Sequence, residues 1–194
     1  MALYVKEIIL SIMKFNDQQA EKIGKEVQGL VKGKVLFDPF SRGRYSTDSS
    51  LYQIKPIGAV LPKDHNDVLK LMEYSQKNSI PLLARGGGSS QCGQTVSEAI
   101  VLDYSKHQNQ VLELNVEEKY VWVQPGIVLD TLNSYLKQFG LWFPVDVSTS
   151  SRATIGGMTG NNSCGSRSLY YGNMVNNVLA VEAILDDGTI HTFE

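Results

Sequence analysis

The chain has 194 residues, 42% hydrophobic and 20% charged, with a formal net charge of −2. That is the composition of an ordinary globular protein, long enough for one domain or for two small lobes sharing a site. A charge so near zero, with no basic run, gives no electrostatic basis for a nucleic-acid partner or an anionic membrane surface.

The opening stretch MALYVKEIILSIM is apolar but interrupted by Lys6 and Glu7, too short to span a bilayer, and without a small-residue cleavage site. It reads as a packed helix or a start-site artefact, and a cytoplasmic location is the expectation. From Asn16 to Val31, Ala20, Ile23, Val27, Leu30 and Val31 recur at helical spacing. Asn16 and Gln19 form a capping-box pattern at the start, and Gly33 is the expected stop. KVLF (34–37) reads as a short strand, and the polar, turn-rich stretch 38–53 is expected on the surface or against a ligand. IGAVL (57–61) reads as a strand ended by Pro62. Residues 63–79 form an amphipathic helix with Val68, Leu71 and Met72 on one face. IPLLA (80–84) reads as a buried strand, ARGGGSSQCGQ (84–94) follows it, and AIVLD (99–103) is a further strand.

From residue 111 the pattern changes. VLELN and YVWVQ flank the polar turn VEEK as a β-hairpin, ended by Pro125-Gly126. Residues 127–139 are amphipathic and helical, with Gly140 as the cap. The stretch 141–173 is rich in glycine and hydroxyls, and a loop that long in a compact domain points to function. NVLAVEAIL and TIHTF close around Asp187-Gly188 as a second hairpin. Cys92 and Cys164 have no metal or redox spacing and read as buried or half-buried thiols, although both fall in glycine-rich segments that can approach each other. His65, His107 and His191 are scattered, so no general base is assigned and no metal site is expected.

Three adjacent glycines at 86–88 mark either a flexible linker or a backbone that must approach something closely. A phosphate-binding Walker loop is excluded because no Gly-Lys-Ser/Thr follows. The dinucleotide fingerprint fails because its third glycine would fall on Gln91. The second segment, TIGGMTGNNSCGSR, adds Gly156, Gly157, Gly160 and Gly165 with Asn161, Asn162 and Ser163 as short donors. Two such segments suit a long ligand with phosphates in its middle, a dinucleotide among them.

RGGGSSQCGQ, VQPG, FPVD…TIGGMTGNNSCGSRSLYYGN and NVLAVEAILDDG occur in an order and spacing that resemble the FAD-binding domain of the vanillyl-alcohol oxidase and p-cresol methylhydroxylase (PCMH) superfamily. Within it, the branch of D-lactate, glycolate and D-2-hydroxyglutarate dehydrogenases is the most similar. FDPFSRGRYSTDSSLYQIKPIGAVLP further resembles large bacterial proteins that fuse this domain to a C-terminal iron–sulfur module. The resemblance covers residues 35–194.

It implies an α+β, two-lobed FAD-binding PCMH-type fold: a small α/β lobe and a mainly antiparallel sheet lobe with helices, C-terminally truncated. The expected division is an N-terminal helical segment (1–33), a first lobe (34–106) and an incomplete second lobe (107–194). By the resemblance, Gly86, Gly87, Gly88, Ser89 and Ser90 form the pyrophosphate loop, closed by Gln94. Pro144, Asp146 and Ser150 approach the flavin ring and ribityl chain. Thr154, Gly156, Gly157, Gly160, Asn161, Ser163 and Gly165 form a second cradle, and Val178 lies on a strand that meets the adenine or ring edge. A side chain at 86–88 would push the phosphates away. Arg85 is a counter-charge to them or a structural ion pair behind the loop; Asp146 orients a donor near the flavin or caps a turn. Relatives that tether flavin through histidine carry it where this chain has Ser89, so FAD is expected to be non-covalent.

Three functions follow as expectations. The first is the flavin-binding part of an oxidoreductase that passes hydride from a D-2-hydroxy acid or similar small substrate to FAD, and electrons onward to an acceptor such as an iron–sulfur partner. The second is a truncated or split non-catalytic fragment that needs a partner chain, such as a C-terminal half. The third, less well matched by TIGGMTGNNSCGSR, is cell-wall precursor reduction on the same fold.

Overall fold

A computed structural model describes residues 15–194, and the expectation for the opening segment 1–13 lies outside the described residues. The first half runs α1 (Asp17–Gln28), β1 (Lys34–Leu36), α2 (Pro39–Arg44), β2 (Gly58–Leu61), α3 (His65–Asn78), β3 (Leu82–Arg85) and β4 (Ile100–Asp103). The second half opens with the hairpin β5 (Val111–Asn115) and β6 (Tyr120–Val123), then α4 (Leu129–Leu136), which tightens into a 3-10 turn over Lys137–Phe139. Short helices α5 (Ile155–Gly160), α6 (Ser168–Tyr171) and α7 (Met174–Asn177) lead to the hairpin β7 (Val181–Ile184) and β8 (Ile190–Phe193).

β1 to β4 form one sheet in the order β1-β2-β4-β3, in which β2 and β3 run parallel to β4 and β1 runs antiparallel to β2. The central strands β2 and β4 are buried throughout, which is why they read as unbroken apolar runs. Their side chains alternate between two cores. Val60, Ile100 and Leu102 meet Ala20, Ile23 and Val27 of α1 and Val68 and Leu71 of α3, whereas Ala59, Leu61 and Val101 meet Tyr45 on the other face. Each buried aliphatic side chain contributes about 1.5–3 kcal/mol. The exposed pairs Lys25–Glu21 and Lys22–Glu26 contribute a few tenths each, so burial holds α1 to the sheet.

In the second half, Ile127, Leu132 and Leu136 pack against Val111, Leu114, Val121 and Val123 of the β5–β6 hairpin. A neighbouring cluster joins Leu129, Val145, Ala153, Met158 and Met174. The β7–β8 hairpin returns to the first half: Ile184 packs against its core, and the Gln76 amide donates to the Asp186 carbonyl.

The capping box at Asn16 and Gln19 forms in both directions, each bond 2.8 Å. Other expectations are corrected. α1 stops at Gly29, whose N–H bonds back to Glu26 and Val27; Gly33 instead passes so close to β2 that a Cβ would overlap the Leu61 carbonyl. The stretch 38–53 is not simply surface turn, because Asp38 caps Ser41 N–H at 2.9 Å, Pro39 occupies the first turn of α2, and Arg42, Tyr45 and Ser46 are buried. β3 lies at the sheet edge and is half-exposed rather than buried. The long 141–173 stretch contains α5 and α6 rather than irregular loop alone. Val178 follows α7 as its C-cap residue and lies ahead of the strand, not on it.

Asp67, fully buried at the start of α3, accepts backbone N–H groups from Lys32 (2.8 Å), Gly33 (2.9 Å) and Lys63 (2.8 Å). One carboxylate thus joins the chain before β1 to the start of α3. Asp67→Asn turns an acceptor into a donor facing these N–H groups and should destabilise the protein by about 2–4 kcal/mol in urea unfolding at neutral pH.

Candidate functional site

β3 ends at Arg85, and the 86–94 loop leaves the carboxyl end of a parallel strand, where open α/β sheets place their ligand crevices. Among the described residues, none of the backbone N–H groups of residues 86–91 donates a hydrogen bond; the first to do so is Cys92, to Ser90 Oγ at 3.2 Å. Gly88 takes φ +65°, a turn that bends this row of donors and that glycine adopts without strain. A curved run of unpaired amides is an anion receptor by construction.

The structure corrects the reason for the glycines. A Cβ on Gly86 would overlap Thr154 Oγ1, one on Gly87 the Arg152 carbonyl, and one on Gly88 the Arg85 guanidinium. Each missing side chain faces protein, and the first two allow the second glycine segment to close onto the first. Thr154, which is 2% exposed, is the hinge of that contact: it caps α5 and bridges to Val128, while Ile155 N–H bonds to Ile127 at 2.9 Å.

A chain of side-chain hydrogen bonds crosses the same junction. Ser90 Oγ donates to Gln94 Oε1, Gln94 Nε2 donates to Asn161 Oδ1 at 2.9 Å, and Asn161 Nδ2 donates to Ser163 Oγ at 3.2 Å. The structure therefore brings together Gly86, Gly87, Ser90 and Gln94 with Thr154, Asn161 and Ser163.

The second segment offers a different surface from the first. The N–H groups of Gly156 and Gly157 already bond to Pro125 O (2.8 Å) and Thr154 Oγ1 (3.3 Å), so they present no free donors. A Cβ on Gly156 would overlap Pro125, and one on Gly165 the Asp146 carbonyl. Gly160 differs: it is exposed, and nothing lies within 4 Å of where its Cβ would be. Packing gives no reason for a glycine there.

Asp146 accepts from Arg167 N–H at 3.0 Å and Ser166 Oγ at 2.9 Å, and the backbone donor at Arg167 holds its pKa below the usual carboxylate value. It caps the turn before α6, the second of the two roles open in the sequence. Pro144 borders a cleft of about 350 Å³ with Trp142, Leu114 and Asn177. Ser150 supports the start of α4 by accepting Asp130 N–H at 3.2 Å, and half-buried Val178 packs on the Val145–Met158 cluster. Ser89 is half-buried. A larger cleft, about 590 Å³, lies between α1 and α2 among Asp17, Phe37 and Arg42 and shares no residue with either glycine segment.

The stretch 38–53 was expected on the surface or against a ligand, but the sequence did not show that its 46–53 segment packs on the glycine loop. Ser49 N–H donates to Gly88 O at 3.1 Å, the Tyr52 ring covers Gly93 (φ +74°), and Thr95 Oγ1 donates to Asp48 at 3.0 Å. The nearest signal was Gly93 itself, whose turn leaves room for a ring but does not name it. Cys92 and Cys164 are both free and exposed, correcting the expectation of burial. His65, His107 and His191 are exposed, and among the described residues no cluster of metal-ligating side chains forms.

Comparison with known proteins places this geometry. Residues 56–194 match the family model described as FAD binding domain. The D-2-hydroxyglutarate dehydrogenase of Haemophilus influenzae is 41% identical over 162 residues, covering 82% of this chain but 16% of that protein. Glycolate oxidase subunit GlcD of Bacillus subtilis is 32% identical over 164 residues, covering 82% of this chain and 35% of the relative. The chain thus spans a minor share of the curated relatives it matches. Among solved structures, an alkyldihydroxyacetonephosphate synthase superposes with a TM-score of 0.76 at 23% identity, over 88% of this chain and 33% of that one.

The junction of the two glycine turns is testable without ligand. Gly86→Ala pushes a methyl group into Thr154 and should destabilise by about 1–3 kcal/mol in urea unfolding, with faster proteolysis at residues 86–94.

Proposed function

This chain belongs to the family of FAD binding domains, with a PCMH-type α+β fold and FAD as its cofactor, and from that premise we propose that it is the nucleotide-holding part of a flavin-dependent oxidoreductase acting on a D-2-hydroxy acid or similar small substrate. The observation that carries the reading is the free row of amides at residues 86–91, locked against a second polar turn by the Ser90–Gln94–Asn161–Ser163 chain.

In this proposal the N–H groups of Gly86, Gly87, Gly88, Ser89 and Ser90 hold the diphosphate, and Gln94, Asn161 and Ser163 fix the opposite wall. Thr154, Gly156, Gly157 and Gly165 act by packing the second turn into place, and Gly160 leaves room for the ligand. Pro144, Asp146, Ser150 and Val178 shape the neighbouring wall. Bound FAD supplies the two-electron acceptor that oxidation of an alcohol to a carbonyl requires. Residues 34–106, with α1 packed into their core, and residues 107–194 form the two lobes around it.

The proposed substrate class is supported by the relatives, named as D-2-hydroxyglutarate dehydrogenase and glycolate oxidase subunit. The proposal extends to an iron–sulfur electron acceptor and to further polypeptide over the exposed Leu169, Tyr170, Val175 and Leu179, in the same chain or a partner. No described helix is long and apolar enough to cross a membrane, and a cytoplasmic setting completes the reading.

FAD titration of the purified chain, followed by flavin fluorescence, should show saturable binding that an excess of riboflavin, which lacks the diphosphate, does not abolish. No saturable binding would refute the proposal. Gly160→Ala should leave urea stability unchanged or raised by up to about 1 kcal/mol while weakening FAD binding. After acid precipitation of the loaded protein, flavin should remain in the supernatant, since Ser89 offers no imidazole for attachment.

A further inference from the structure

Arg85 is a half-buried cation at the root of the amide loop, and it bonds to backbone carbonyls on either side of it. Its Nη1 donates to Thr95 O at 2.9 Å and its Nη2 to Thr47 O at 2.8 Å. The first carbonyl lies past the far end of the loop, and the second lies on the 46–53 segment that flanks it. Among the described residues no carboxylate comes within 4.0 Å of the guanidinium, so the expectation of an ion pair is not met.

The nearby acids Asp103 and Asp48 favour the charge of Arg85 at longer range, but their hydrogen bonds go to other groups. Asp103, the register partner of Arg85 on β4, accepts the Tyr45 hydroxyl at 2.6 Å and the Ser105 N–H and hydroxyl at 2.9 and 2.7 Å. Asp48 accepts Ser50 N–H at 2.8 Å and Thr95 Oγ1 at 3.0 Å. The guanidinium carbon lies over the Tyr45 ring, 5.5 Å from its centroid, a cation–π contact that does not neutralise the charge. Burial and then Asp103 push the Tyr45 pKa up, so the phenol remains a donor to that carboxylate. Above the guanidinium sits Gly88, with no side chain between them.

We infer that Arg85 is the positioning residue of the amide loop: it ties the loop's far end to the 46–53 segment, and it places a positive charge with no carboxylate in direct contact under the N–H groups without itself being a ligand contact. This rests on the diphosphate reading of the loop. The two functions separate chemically. A lysine keeps the charge but is a single ammonium on a flexible stem and does not reproduce the planar fork to two carbonyls. A methionine keeps the stem and loses both.

The test is FAD affinity of the full chain, wild type, Arg85→Lys and Arg85→Met, measured by fluorescence titration at several salt concentrations from low to 0.5 M, with far-UV circular dichroism and urea unfolding as fold controls. Exposed charge is screened within about 8 Å at physiological ionic strength, so the wild type should weaken as salt rises. Arg85→Met should lose roughly tenfold or more in affinity at low salt and show a flatter salt dependence, while Arg85→Lys, with its charge kept, loses less and keeps the wild-type slope. Equal losses in both variants with unchanged slopes, or no loss in either, would overturn the inference while leaving the flavin reading intact. A wild-type chain that binds no FAD overturns both. Should Arg85→Met fail the fold controls, Arg85→Lys decides alone: affinity reduced with the wild-type slope supports the inference, and wild-type affinity or an altered slope overturns it.

Discussion

Thr154 stands where a side chain at residue 86 would have to go, and most of the site's geometry depends on that exclusion. Because Gly86 and Gly87 present only hydrogen to the second half of the chain, Thr154 and the Arg152 carbonyl reach the loop backbone directly. The rest follows from that approach. α5 begins at Thr154, so its position carries Asn161 toward Gln94, and the backbone from Pro125 to Leu129 pairs with 153–156 through several hydrogen bonds. A methyl-sized obstacle at one position would therefore separate the elements that make up both walls.

The same packing divides the amides into two classes. In the second glycine segment the helix-starting N–H groups are satisfied by Pro125, Ile127 and Thr154, as buried backbone requires. In the first segment they are left open at a sheet edge. Only the second arrangement would be stable if both were sealed from solvent; an open row is tolerable because water, or an anion, can reach it. Glycine is thus used in two ways within one site: to let chain meet chain at 86, 87, 156 and 165, and to turn the chain at 88 and 93.

Local chemistry explains what the sequence made legible. α1 and α3 were readable from apolar spacing and from Asn16 and Gln19, and both hairpins from alternation around polar turns, because these signals lie within a few residues of what they specify. The two glycine segments were also visible. That they could approach each other was suggested by their shared composition, but not the contact itself, since residues 86 and 154 meet through tertiary packing that leaves no periodic trace. α2 was missed although Asp38-Pro39 marks its start, because the polar composition that follows outweighed a two-residue cap signal. For the 46–53 segment, polar composition suggested surface or ligand, but nothing about Ser49 or Tyr52 shows that they lie against Gly88 and Gly93.

The return of the last hairpin has its own consequence. Ile184 and Asp186 attach it to α3 and the first core, while the 152–161 stretch attaches to the glycine loop. Two separated fastenings between the same two halves constrain them more than a single pivot would. A change at one fastening, at Gln76 or at Gly86, therefore leaves the other in place.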